Sequence, residues 1–214
     1  MTSIRFTVCS FNLWEEARKD LRRESLTKFL EIHRPDILCA QEFRPWTQDL
    51  LDAVLADHHR VQDPFEGWLR EGNIYWNRDL FDLVQFGAED VGIHEKLRKL
   101  FWVRLRSKAA GEKTLLVSTC HYTWNGNPGE ARDGLNPRLA MARNTVGALK
   151  KLAPEGEAVL FMGDLNDSNH PIRILREGGL QDIYSALGRT PSVTFPAEPV
   201  YPNPPECIDW ILFR

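Results

Sequence analysis

The apolar positions along the chain fall into two kinds of run, one alternating and one continuous. From Ile4 to Asn12 the pattern alternates, with Ile4, Phe6 and Val8 on one face and Arg5, Thr7 and Cys9 on the other, which predicts a half-buried strand. Asp36 to Ala40 and Ala158 to Met162 are continuous runs, expected of strands covered on both faces. Leu26, Phe29 and Leu30 recur at helical spacing and are stopped before Pro35. Leu50, Leu51, Val54 and Leu55 mark a second helix over Trp46 to Leu55. Gly72 to Trp76 and Phe81 to Phe86 flank Asn77-Arg78-Asp79, and Leu100 to Arg106 and Thr114 to Thr119 flank Lys108 to Glu112, so two hairpins are predicted. Pro137 opens a helix with Leu139, Val146 and Leu149 inward. Short helices from Pro171 and near Asp182, a Pro-rich crossing from Pro196 to Pro205 and a strand from Cys207 to Arg214 complete the pattern.

Composition adds limits. No compositional break divides the 214 residues, and 43% of them are hydrophobic, so one domain is expected over residues 1–214. The net charge of −3 gives no overall basic field to draw in nucleic acid, which leaves that attraction to a local patch or a bound metal. Lys96, Arg98, Lys99, Arg104 and Arg106 form the densest basic group, read here as an outward polar face. The mixed run Glu15 to Glu24 reads as a solvated face. Cys9, Cys39, Cys120 and Cys207 contain no CxxC pair and read as buried free thiols of a reducing compartment. No leader precedes the first strand and no apolar run approaches spanning length, so a cytoplasmic protein is expected.

The candidate chemistry lies where strands end. Asn12, Glu42, His121 and Asp164 each follow or close a predicted strand, and Asp164 and Asn166 share a side in extended geometry while Leu165 points back. Each has an ordinary explanation: a turn-forming Asn, a salt-bridged Glu, a packed His. Together they offer carboxylates for a hard cation and amides for an anionic oxygen. The loop Thr123 to Asn136 carries Trp124 and is long enough to contact substrate.

With Ser10-Phe11-Asn12, Gln41-Glu42, Gly72-Asn73 with Tyr75, His121, Gly163-Asp164-Leu165-Asn166 and Ile208-Asp209-Trp210 in this order, the chain resembles the endonuclease/exonuclease/phosphatase superfamily. The resemblance implies an α+β fold, two mixed β-sheets packed as a sandwich with helices on both outer faces. It implies Mg²⁺ (Mn²⁺ as substitute) on Glu42 with Asn12 beside it, Asp164 acting on the attacking water, and His121 and Asn166 holding phosphoryl oxygens. Asn73, Tyr75, Trp124 and Arg138 are expected to contact substrate. Family members continue past the Asp209 strand to a Ser-Asp-His segment that does not occur here. The last strand of the fold is therefore expected to be missing, Asp209 to face the cleft with no histidine partner, and the edge beside Ile208 to Phe213 to be open, available to an edge-strand dimer. The expected function is Mg²⁺-dependent hydrolysis of a phosphodiester, nucleic acid or nucleotide favoured. A catalytically impaired phosphate- or nucleic-acid-binding domain, or a phosphatase or lipid phosphodiesterase, is the alternative.

Overall fold

Two β-sheets face each other in the computed structural model, which describes residues 4–109, 111, 113–196 and 204–214. The chain begins β1 (Val8–Asn12), α1 (Lys19–His33), β2 (Ile37–Gln41), α2 (Pro45–Val54), β3 (His58–Arg60), α3 (Gly67–Arg70) and β4 (Gly72–Asn77). It continues with β5 (Phe81–Glu89), β6 (Leu100–Ser107), β7 (Thr114–His121), α4 (Pro128–Asp133), α5 (Arg138–Leu152) and β8 (Ala158–Asp164). It closes with α6 (His170–Glu177), β9 (Gln181–Asp182), α7 (Ile183–Ala186) and β10 (Asp209–Phe213). The first sheet runs β1-β2-β4-β3 and the second β5-β6-β7-β8-β10-β9.

Continuous apolar runs are explained by where these strands lie. In β2, Ile37 and Cys39 enter the core between the sheets, while Leu38 and Ala40 pack outward with Leu26 and Leu30 of α1 and Leu50 and Leu51 of α2. In β8, Met162 joins the inner core, and Val159 and Phe161 pack outward with Met141 and Leu149 of α5 and Ile172 and Leu175 of α6. Both strands are covered on both faces, which removes the polar half of the usual alternation. The layers are therefore helix, sheet, sheet, helix, as the resemblance implies.

Three sequence readings are corrected. Gly72 to Trp76 and Phe81 to Phe86 do not form a hairpin, because β4 pairs with β2 and β3 whereas β5 pairs with β6 in the other sheet. The Asn77 turn instead carries the chain from one sheet to the other. β10 is not left raw along its length, since Leu212 and Phe213 pair with Asp182 and Gln181 of β9. That removes the free edge the proposed dimer needed there, although Asp209 to Ile211 have no strand partner on that side among the described residues. The loop after His121 contains α4, capped by the Asn127 side chain. The hairpin of β6 and β7 forms as read. Most of the Pro-rich crossing lies outside the described residues.

Candidate active site

Register builds the site. β7 runs parallel to β8 with His121 opposite Asp164, and β10 runs antiparallel to β8 with Asp209 opposite Asp164. Residues paired in register share a face, so three adjacent strands present His121, Asp164 and Asp209 in a row. Gly163 permits the close approach of β8 to β7, because a Cβ there would strike the Cys120 carbonyl oxygen. This close approach, not a turn, is what the glycine before Asp164 serves. Asn12 closes β1 of the facing sheet, and Glu42 follows β2 with its N–H donated to the Glu71 carbonyl at 3.0 Å. Glu42 has φ 52 and Asn166 φ 48, left-handed conformations that non-glycine residues rarely adopt and that gather at functional sites.

One amide joins the two sheets at this point. Asn12 Nδ2 donates to Glu42 Oε1 at 3.0 Å and to Asp164 Oδ2 at 2.9 Å. Asn12 Oδ1 accepts the Trp14 N–H at 2.8 Å, and Asp164 Oδ1 accepts the Asn166 N–H at 2.8 Å. Behind them Gln41 Nε2 reaches from β2 to Thr119 Oγ1 on β7 at 2.8 Å, a second tie between the sheets. A cavity of about 530 Å³ opens over Asn12, Glu42, Asp164, Asn166 and Asp209, with Phe11, Trp14, Phe195, Pro196 and Ile208 among its walls.

The acids here are buried, and the Arg98 charge acts on Glu42 and Asp164 while Arg98 itself pairs with Glu71. Burial pushes the Glu42 carboxyl above its usual range, against the Asn12 hydrogen bond and the Arg98 charge. Asp164 is raised by burial and then by the Asp209 carboxylate opposite it, and Asp209 is raised by burial. Asp209 Oδ1 is buried with no hydrogen-bond partner. His121 does not neutralise the group. Burial, Arg98 and Arg44 hold its pKa well below the ordinary value, and its Nε2 lies 3.6 Å from Asp164 and 3.8 Å from Glu42.

These features fit a hard divalent cation. The converging donors are carboxylate oxygens, and the orphaned Asp209 oxygen and the carboxyls raised by burial mark acids short of partners. Among the described residues no three His, Cys, Asp or Glu side chains cage a single ion. Glu42 would therefore hold the metal with Asn12 beside it, and water and substrate oxygens would complete the shell, as suits Mg²⁺.

Not every expected residue reaches the cavity. His121 is buried close to Asp164 and Glu42 and is not among the residues lining the cavity. Asn73 is buried, and its side chain is taken up by Val61, the Trp68 carbonyl and the Ile74 N–H. Tyr75 is buried against Asp52, to which its hydroxyl donates at 2.8 Å. Arg138 is buried on Glu130 and the Thr123 carbonyl, and holds the loop carrying α4 in place. Asn73, Tyr75 and Arg138 are thus structural ties, because polar groups this deep are satisfied by their nearest backbone and side-chain neighbours. Trp124 is exposed and lies outside the cavity wall. The basic group is dispersed as well: Arg98 pairs with Glu71, Lys99 with Asp90 and Arg104 with Glu157. In the charge run Glu15 to Glu24, Arg22 turns inward onto the carbonyls of Ala17 and Leu13, each at 2.7 Å. The residues that sequence reasoning missed are Trp14 and the pair Thr194 and Phe195. Adjacency to Asn12 was the signal for the first, and for the others there was none.

The family model for the Endonuclease/Exonuclease/phosphatase family matches residues 9–214, and the chain belongs to that family. Its fold is shared with D. rerio TDP2 complexed with single strand DNA product, at TM-score 0.79 and 18% identity over 98% of this chain and 83% of that one. The Bacteroides thetaiotaomicron mannosyl-6-phosphatase Bt3783 gives TM-score 0.75 and 19% identity over 98% and 85%. The human Nocturnin catalytic domain with bound sulfate anion gives 0.71 and 17% over 99% and 84%. No curated protein matches this chain by sequence. Among the described residues no helix is long and apolar enough to cross a membrane.

Proposed function

We propose that the chain is a Mg²⁺-dependent phosphodiesterase whose substrate is a nucleotide or nucleic-acid phosphodiester. The observation that carries this reading is the convergence of Glu42, Asp164 and Asp209 on one cavity whose walls hold no lysine or arginine among the described residues. Mg²⁺, when bound, supplies the positive charge that draws and polarises the phosphoryl oxygens. Glu42 holds it, and Asn12 fixes the spacing of Glu42 and Asp164. Asp164 orients the attacking water and takes its proton. As the water oxygen bonds to phosphorus, the opposite P–O bond breaks and its electron pair leaves with the departing oxygen, which solvent protonates. Asn166 gives one amide hydrogen to the Tyr122 carbonyl at 2.9 Å and keeps the other for a phosphoryl oxygen. The four free cysteines support a reducing compartment such as the cytoplasm. The test is turnover of bis(4-nitrophenyl) phosphate with Mg²⁺, ended by EDTA. Absence of turnover with Mg²⁺ and with Mn²⁺ would sink the reading. It would favour a phosphate-binding domain of the same fold.

A further inference from the structure

The walls of the same cavity narrow the substrate, on the footing of the phosphodiesterase reading. Among the described residues no lysine or arginine faces the ligand there. The nearest guanidinium groups are engaged elsewhere: Arg98 on Glu71 at 3.0 Å, Arg44 on Glu15, and Arg22 on backbone carbonyls. A phosphate bearing two charges would face Glu42, Asp164 and Asp209 with one bound cation beside it and the Arg98 charge acting only from its pairing with Glu71. A diester bearing one charge meets less repulsion.

The apolar residues lining the cavity are Phe11, Trp14, Phe195, Pro196 and Ile208, and the Trp14 backbone is anchored. Its N–H is held by Asn12 Oδ1 at 2.8 Å, the same residue whose amide bridges Glu42 and Asp164. Its backbone has φ 49, a strained conformation for a bulky residue. The Arg22 guanidinium lies 5.6 Å from its ring centroid and is locked by hydrogen bonds to the loop that carries it. Trp14 thus has its backbone fixed one hydrogen bond from the residue that bridges the acids, with the Arg22 guanidinium against its ring. Trp124, the other tryptophan considered for stacking, is 47% exposed and outside the wall.

We propose that Trp14 is a specificity-determining residue that receives a flat aromatic group beside the phosphorus of a singly charged phosphodiester. Calorimetric titration of the Mg²⁺-loaded protein at about pH 8, where a phosphomonoester carries two charges, tests it with diphenyl, dimethyl and phenyl phosphate. Diphenyl phosphate is expected to bind tightest. Trp14→Ala should weaken it by about five- to a hundredfold, the range for losing one stacking contact, and leave dimethyl phosphate unchanged. Trp14→Phe should restore most of the affinity, and Trp124→Ala should change nothing. Phenyl phosphate binding as tightly as diphenyl phosphate would overturn the proposal, as would equal losses for diphenyl and dimethyl phosphate in Trp14→Ala. The two readings fail separately. Turnover of bis(4-nitrophenyl) phosphate without ring-selective binding would sink the ligand class alone, and ring-selective binding without turnover would sink the hydrolase reading alone.

Discussion

The two ends of β7 and β8 bury carboxylates in opposite ways. At the start, Glu157 precedes β8 and is held by Arg104 Nε at 2.8 Å and by the hydroxyl of Thr114, the first residue of β7, at 2.6 Å. At the other end, Asp164 stands opposite Asp209, with Glu42 nearby and a neutral His121 beneath. The first arrangement is a satisfied structural pair. The second sets like charges directly across a sheet, which destabilises it and is relieved by a proton or by a bound cation. A buried carboxylate is thus no sign of a site by itself. Carboxylates facing one another with no arginine hydrogen-bonded to them, as Arg104 is to Glu157, are.

Substitutions can break that comparison. Asp164→Asn is expected to lower turnover by about 10²–10⁴, as loss of a general base does, while thermal denaturation in EDTA shows no loss of stability. A marked fall in Tm would make Asp164 a structural carboxylate like Glu157. Glu157→Ala should act in reverse. Leaving Arg104 partly buried and unpaired should cost about 3 kcal/mol, roughly 6–12 °C in Tm for a chain of this size, with kcat little changed. An unaltered Tm would show that the Arg104 pair is ornamental and erase the contrast.

Smaller effects sharpen it. Glu42→Gly should abolish Mg²⁺ binding by calorimetry yet raise metal-free stability by about 1 kcal/mol, since glycine accepts the left-handed backbone that glutamate holds at φ 52. A loss of stability would mean that the Asn12 contact outweighs the strain. Asp209→Asn removes the charge opposite Asp164 and should raise metal-free stability by about 0.2–1 kcal/mol. If denaturant titration shows a decrease instead, Asp209 has a cationic partner in solution and the acids are not uncompensated.

Much was legible before the fold was known. Ile37 to Ala40 and Val159 to Met162 read as doubly buried strands because their apolar runs are continuous, and the fold covers them on both faces. Asn12, Glu42, Asp164 and Asp209 could be placed at strand ends because strands are short and their ends are marked by the first polar residues. Strand partnership was not legible. The Asn77 turn looks like any hairpin turn, and only the packing of Trp76 and Phe81 into one core between two sheets sends β4 and β5 to different sheets.

What the sequence determined by itself is local: which segments are strands and helices, and which acids and amides close them. The tertiary structure decided the rest, because pairing register and sheet-to-sheet packing bring together residues far apart in the chain. Asn12 meets Asp164 across 152 positions. The same packing turned Asn73, Tyr75 and Arg138 into interior ties and placed Trp14, marked in the sequence only by its nearness to Asn12, in the cavity wall. Whether a polar side chain is a tie or a site depends on what lies within a few ångströms of it, and no spacing along a chain records that distance.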